Sequence, residues 1–395
     1  MVAGEAAAAN AETPPLAPAL AAMTGLQALV ALALFAPGVL APKLGIGERD
    51  ISFFTASVFV VGVATSMAGG MLAARLGSLA VAALCALAVG AAMATAMLGS
   101  AVALIVAGAI LGLAFGPETP ASSGLLARLS RPEQRPLIFS IRQTGNQLGA
   151  MLGSLTLPAI AVLAPDAGFA LIALLSVLIC AVFLAMRRRY DSGRDNPSTR
   201  VSLQQSWHLL RQAPVLSLLA LVSMPFSAMQ LALNAYFVIL AVNQLALPHV
   251  TAGVLLAIAQ AGGLIGRLLW GMVATRYVPA RAVVAGLGIA MSACSAVVAI
   301  ASPAWPLALL GALAFTFGLT ASGWNGVLLA EVARLSPEGR VPEATGAVLT
   351  ASYAGLLLGP PLMAGVAQVA SIQQGYAVLA VLALLATLAL RRAPP

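Results

Sequence analysis

A 395-residue chain that is 61% hydrophobic and only 8% charged cannot cover its folded surface with groups that water solvates well, since soluble domains carry about 25% charged residues. A water-soluble enzyme or a sizeable extramembrane domain is therefore excluded, and lipid is the solvent over most of the surface. The net charge of +8 does not point to nucleic acid, because the basic residues sit in short loops between apolar runs and are not clustered with aromatics.

Residues 1–17 are rich in Ala and Pro, hold Glu5 and Glu12, and lack Lys and Arg. A signal peptide needs a basic start, so this segment reads as a disordered cytoplasmic tail. Long stretches without charge follow, at 13–42, 51–74, 76–117, 143–165, 167–186, 212–266, 282–330 and 344–390. A spanning helix bonds its own backbone and tolerates few ionised side chains, so each stretch counts as one or two spans by length. Gly99-Ser100, Leu247-Pro248-His249, Ser302-Pro303 and Ser371-Ile372-Gln373-Gln374 divide the longer ones. The predicted spans are 18–40, 51–74, 79–98, 101–126, 136–162 and 168–187, then 214–243, 250–275, 281–301, 305–331, 343–368 and 374–391. The expected fold is all-α and integral to the membrane, with twelve transmembrane helices.

With both termini inside, the cytoplasmic loops receive Arg75, Arg128, Arg131, Arg135, Arg187, Arg188, Arg189, Arg194, Arg200, Arg211, Arg276, Arg281, Arg334, Arg340, Arg391 and Arg392. The opposite side receives Lys43 and Arg49, which fixes the expected orientation by the positive-inside rule. The polar stretch 188–213, with Trp207 and His208 in a candidate interfacial helix, is the expected linker between bundles at 18–187 and 214–391. Cys85, Cys180 and Cys294 lie in apolar runs without metal-ligand spacing and read as small apolar side chains.

The two bundles repeat each other. Gly70-Met71-Leu72-Ala73-Ala74-Arg75-Leu76 recurs as Gly271-Met272-Val273-Ala274-Thr275-Arg276-Tyr277, and Ala127-Arg128-Leu129-Ser130 recurs as Ala333-Arg334-Leu335-Ser336. Gly149 and Gly153 match Gly355 and Gly359 in the same order and orientation. Parallel six-helix repeats are a transporter architecture with the binding site between the halves.

On these residues the chain resembles the major facilitator superfamily over its whole length. The loop after the second span resembles that family's G-x-x-x-D-r-x-G signature, with Gly70, Arg75 and Gly77 matching and Ala74 at the acidic position. Its counterpart holds Arg267, Gly271 and Arg276, with Thr275 at the acidic position. The resemblance implies gating loops at these residues, a bacterial inner-membrane location and a monomer. Gly112, Gly116 and Pro120 fit the fourth-helix frame, but Gly108 occupies its Arg position, so that residue's role in proton coupling is not carried over. The stretches 116–121, 139–145 and Gly323-Trp324-Asn325-Gly326 resemble cyanate-type and oxalate/formate-type carriers.

Three ionised residues lie at membrane depth, where a charge requires a partner or water. Glu118 and Arg142 are placed at similar depth on adjacent spans. Either they form an ion pair that holds the two helices together, or Arg142 anchors an anion while Glu118 tunes it or carries a proton. Arg267 reads as a carbonyl cap or a brace for its loop in preference to a substrate contact. Gln27, Asn146, Gln147, Gln230, Asn234, Tyr236, Gln260, Trp324, Asn325 and Tyr353 are the uncharged binding candidates, and each is also explained by hydrogen bonding between helices.

The function that follows is alternating-access transport, active or facilitative, of a small solute, with an organic or inorganic anion favoured by the buried arginines. A drug or metabolite efflux carrier, or a non-transporting sensor on a carrier scaffold, is the alternative. A membrane enzyme lacks its nucleophiles and ligands, since His208 and His249 are in loops and no Asp lies in a span. The expected partners are a small-molecule substrate, the lipid bilayer and, through Glu118, protons; no cofactor is called for.

Overall fold

The computed structural model describes residues 14–44, 47–164, 166–191, 210 and 213–392. Most of the tail, and most of the linker with its candidate interfacial helix, lie outside these residues. The first half consists of α1 (Leu16–Leu44), α2 (Glu48–Leu76), α3 (Ser78–Ala96), α4 (Ala101–Leu129), α5 (Arg135–Leu163) and α6 (Ala167–Tyr190). The second consists of α7 (Pro214–Asn243), α8 (His249–Arg276), α9 (Ala280–Ala299), α10 (Leu307–Ala321), α11 (Trp324–Leu335), α12 (Val341–Val369) and α13 (Ile372–Arg392). Among the described residues, eleven helical stretches, with α10 and α11 joined as one, are long and apolar enough to cross a membrane. The remaining long helix is α5, whose first half carries Arg135, Arg142, Gln143, Asn146 and Gln147. Several helices run to 29 residues, about 43 Å, so they outreach a hydrocarbon core of about 30 Å.

The predicted tenth span is not continuous: it breaks at Ser322-Gly323, between α10 and α11. Trp270 of α8 supplies the reason. Its indole N–H donates to the Leu319 carbonyl at 3.0 Å, the acceptor that a continuing helix would offer to the Gly323 amide. The ring also lies where a Gly323 side chain would stand, 2.5 Å from the position of its Cβ.

Each half has its own apolar core. One gathers buried side chains from Ala19 to Tyr190, the other from Leu210 to Leu390. Glycines bring helix backbones together within them: Gly112 of α4 lies on Val58 of α2, and Gly318 of α10 lies on Ala259 of α8. Likewise Gly149 of α5 sits on the Ala28 carbonyl of α1, and Gly355 of α12 on the Met224 carbonyl of α7. The three cysteines are buried free thiols. A smaller third cluster joins Leu126 and Phe139 of the first half to Leu329, Leu349 and Tyr353 of the second.

The signature loop is tied without the missing acid. Gly77 adopts φ of 100°, a conformation that favours glycine, and opens α3 immediately after α2. Asp191, at the end of α6, then accepts from the Leu79 and Ala80 amides at 3.2 Å each, capping α3 from another helix. A Gly77 Cβ would stand 2.4 Å from the Asp191 carboxyl carbon. Replacing Asp191 with Ala is therefore expected to cost about 1 kcal/mol, as loss of an N-cap does, read as a lower melting temperature of the purified protein.

Candidate functional site

Polar side chains at membrane depth converge where the halves meet. On α4, Pro117 and Pro120 flank Glu118 and Thr119, all of them buried. The Glu118 carboxylate pairs with the Arg142 guanidinium of α5 through Oε1 and Nη2. Its second oxygen accepts from the Thr119 hydroxyl at 2.9 Å, and that hydroxyl accepts from Arg142 Nη1 at 3.1 Å. Both ionised groups are nearly sealed, at 1% and 3% exposure. Of the two readings open for this pair, the geometry realises the ion pair that joins the fourth and fifth spans.

Arg267 of α8 is equally buried but differently placed. Of its expected roles the carbonyl contact is present, but to another helix, and the brace to the loop after its own helix is not. Its Nη1 crosses to the first half and donates to the Gln143 carbonyl at 3.0 Å, while Nε and Nη2 have no partner among the described residues. No carboxylate of the described residues pairs with it, and Arg142 lies close enough to repel it. Arg142 Nε and Gln27 Oε1 are unpartnered as well, and Gln27 Nε2 donates to the Gln143 side chain at 2.6 Å. Two neighbouring guanidiniums are thus buried where one carboxylate pairs with Arg142 alone, in a region with little water to solvate the excess charge.

A second polar group lies beside the first. Gln147 of α5 donates to Gln260 of α8 at 3.0 Å, and Gln260 donates to Asn234 of α7 at 3.1 Å. Asn325 of α11 donates to Gln230 of α7 at 3.1 Å. Asn146 is half-buried on α5 next to Gln147. The Tyr353 hydroxyl donates to the Phe115 carbonyl at 3.3 Å, and the two rings are 4.8 Å apart, within electrostatic reach of Glu118 and Arg142. Tyr236 bonds the Pro360 carbonyl at 3.1 Å, close to where Pro360-Pro361 interrupts the backbone bonding of α12. Trp324 stands apart from the other candidates as a core residue, 1% exposed, bonded to the Ala321 carbonyl and packed edge-on against Phe226.

Thr119 and Gln143 belong to the site but were absent from the sequence candidates. The available signal was adjacency, since each directly follows an ionised residue inside a span.

Of the three glycines in these loops, Gly70 and Gly271 lie on contacts between the halves, while Gly77 lies on Asp191 of its own half. Gly70 of α2 packs on Pro342 and Glu343 of α12, and Gly271 of α8 packs on Ser140 of α5. Ser66 Oγ bonds the Gly346 carbonyl at 3.0 Å, and the Leu137 amide bonds Thr275 Oγ1 at 3.1 Å. Gly326 of α11 comes so near α5 that a Cβ there would stand 2.4 Å from the Ser140 Cα. Arg75 and Arg276 remain exposed beside these contacts. The arginine-rich end of the bundle is thereby shut along two seams, α2 with α12 and α5 with α8 and α11. Among the described residues, no group of three His, Cys, Asp or Glu side chains is placed to hold a metal.

The family model of the Major Facilitator Superfamily matches residues 19–332. No curated protein matches the chain. Among solved structures, the human organic anion transporter MFSD10 (TETRAN) is similar at a TM-score of 0.77 and 19% identity, covering 95% of this chain and all (100%) of that one. The E. coli fucose:proton symporter gives 0.75 and 17%, covering 95% and 98%. A bacterial homologue of the iron transporter ferroportin, in an outward-facing state, gives 0.80 and 14%, again covering 95% and 98%.

The buried pair makes an asymmetric prediction. Glu118→Gln leaves a second guanidinium uncompensated and is expected to cost about 3–5 kcal/mol, whereas the double change with Arg142→Gln recovers most of it. Thermal melting of both purified variants reads the difference.

Proposed function

The chain belongs to the Major Facilitator Superfamily and is a multi-pass membrane transporter, not an enzyme; on that premise we propose that it carries a small organic or inorganic anion by alternating access, at a site between its two halves. One observation carries the choice of an anion. Arg267 is buried at 1% exposure, with two donors unpartnered and no carboxylate paired to it among the described residues. A bound carboxylate or oxyanion would take those donors in the paired geometry that a guanidinium presents. Arg142 then acts beside it as a second positive group, already half-neutralised by Glu118. The amide row Gln147–Gln260–Asn234 supports a second reading, a neutral hydroxylated solute, since it offers donors and acceptors without charge.

The halves at 18–187 and 214–391 are read as structural repeats, supported by their equivalent pairs: α1 with α5 and α7 with α12, α2 with α4 and α8 with α10. The arginine-rich end is assigned to the cytoplasm of a bacterial inner membrane by the positive-inside rule, with both termini there. With that end shut, the conformation corresponds to an outward-facing one. Glu118 is locked to Arg142 and Thr119, which favours exchange or facilitated movement over proton-driven transport.

A melting screen of purified protein against monocarboxylates, dicarboxylates, amino acids, sugars and cationic drugs tests the substrate class. Stabilisation by anions is expected; stabilisation by sugars alone selects the second reading, and by cations alone sinks both. Arg267→Gln is expected to abolish uptake into proteoliposomes and the ligand-induced shift. The same change should raise the ligand-free stability by about 1–3 kcal/mol, because it removes an unsatisfied buried group. Gly326→Val, whose side chain collides with Ser140, is expected to hold the shut end apart. Thiol labelling at an introduced Thr275→Cys then rises, and unchanged labelling counts against closure at these seams.

A further inference from the structure

A groove of about 1080 Å³ opens at the arginine-rich end, away from the central polar residues. It is lined from both halves: Glu133 and Pro136 of the first, and residues of α8, α9, α11 and α13 of the second. Its rim holds Arg281, Arg334 and Arg391 against Glu133 and Glu331. Glu331 is occupied, since Arg334 binds both of its oxygens at 2.8 and 2.7 Å. What remains on the rim is Arg281 and Arg391 with Glu133, two cations to one carboxylate, so the mouth is basic on balance. Arg281 is held in place by the Leu390 carbonyl at 2.9 Å, and Arg391 is exposed in the last turn of α13.

From this mouth an apolar track runs along α9. Ala282, Gly286 and Ile289 line the groove, are exposed, and recur at the spacing of one helix face. Nothing stands within 4 Å of a Cβ placed at Gly286, so the track is open. From Arg281 to Ile289 it reaches about 12 Å along the helix axis, from the charged rim toward bilayer depth. A soluble anion would use the mouth and leave this track empty. A peptide would find few hydrogen-bonding groups along it. A lipid fills both.

We propose that the groove is a binding site for an anionic glycerophospholipid, with its phosphate at Arg281 and Arg391 and an acyl chain along Ala282, Gly286 and Ile289. Basic pockets between helices on the cytoplasmic side are the general setting for such headgroups, and the location rests on the orientation proposed above. Because Glu133 and Pro136 belong to the half opposite α9, the lipid touches both halves only while the seam between α5 and α8 is shut. The site therefore holds a lipid in one conformation of the carrier and releases or splits its contacts in the other.

Native mass spectrometry of the purified full-length protein, titrated with phosphatidylglycerol or phosphatidylcholine, reads the site without any transported substrate. A failure here is thus separate from a failure of the anion reading. One phosphatidylglycerol adduct is expected to outlast phosphatidylcholine on activation. Arg391→Gln should weaken it about fivefold, the factor expected for one basic residue near an anionic leaflet. Gly286→Trp, which fills the open track without touching the rim, should abolish it. Adducts equal in both variants, or displacement of the lipid by millimolar inorganic phosphate, would overturn the assignment.

Discussion

Helices in lipid are not driven together by water, so whatever holds this bundle must come from close contact and hydrogen bonding between them. Close contact is achieved at glycine. Where Gly112 meets Val58, Gly149 meets Ala28, Gly318 meets Ala259 and Gly355 meets Met224, any side chain would collide with the neighbouring helix. These contacts fall within a half and define its rigid pairs. Gly70, Gly271 and Gly326 are used differently, because their neighbours belong to the other half. The same residue type thus makes both the permanent joints and the separable seams, and only the partner's position in the chain tells them apart.

Hydrogen bonding follows a similar division. Within the first half, Glu118, Thr119 and Arg142 satisfy one another almost completely. Between the halves, Arg267 reaches a single backbone carbonyl and Gln147 reaches Gln260. The strong polar network is internal to one half, and the links across the boundary are few and neutral at the acceptor. A carrier that must part its halves repeatedly is served by this distribution, since separating them breaks no ion pair between side chains of the described residues.

Much of the helix count was legible because charge deserts report directly on the cost of burying ionised groups. The Glu118–Arg142 pair was legible as one of two readings, since two opposite charges at equal depth on adjacent helices can meet. The break at Ser322-Gly323 was not, because its cause is an indole from α8, some fifty residues upstream. Nor was the direction of Arg267, whose acceptor lies on α5, 124 residues away. Helices that are apolar all round carry little information on which face turns inward, so the choice among Gln, Asn and Tyr candidates had no sequence basis. Trp324, which turned into the core, shows the consequence.

The buried guanidinium of Arg267, unpaired with any carboxylate of the described residues, bears on the kinetics of turnover. Moving an unneutralised cation through a desolvated intermediate is slower than moving the same group with a counter-anion aboard. On the proposed reading the loaded carrier reorients readily and the empty one is held back, so solute on the far side would accelerate efflux from the near side. An antiporter's strict stoichiometry would then arise from electrostatic self-energy alone, with no second ion required to enforce it.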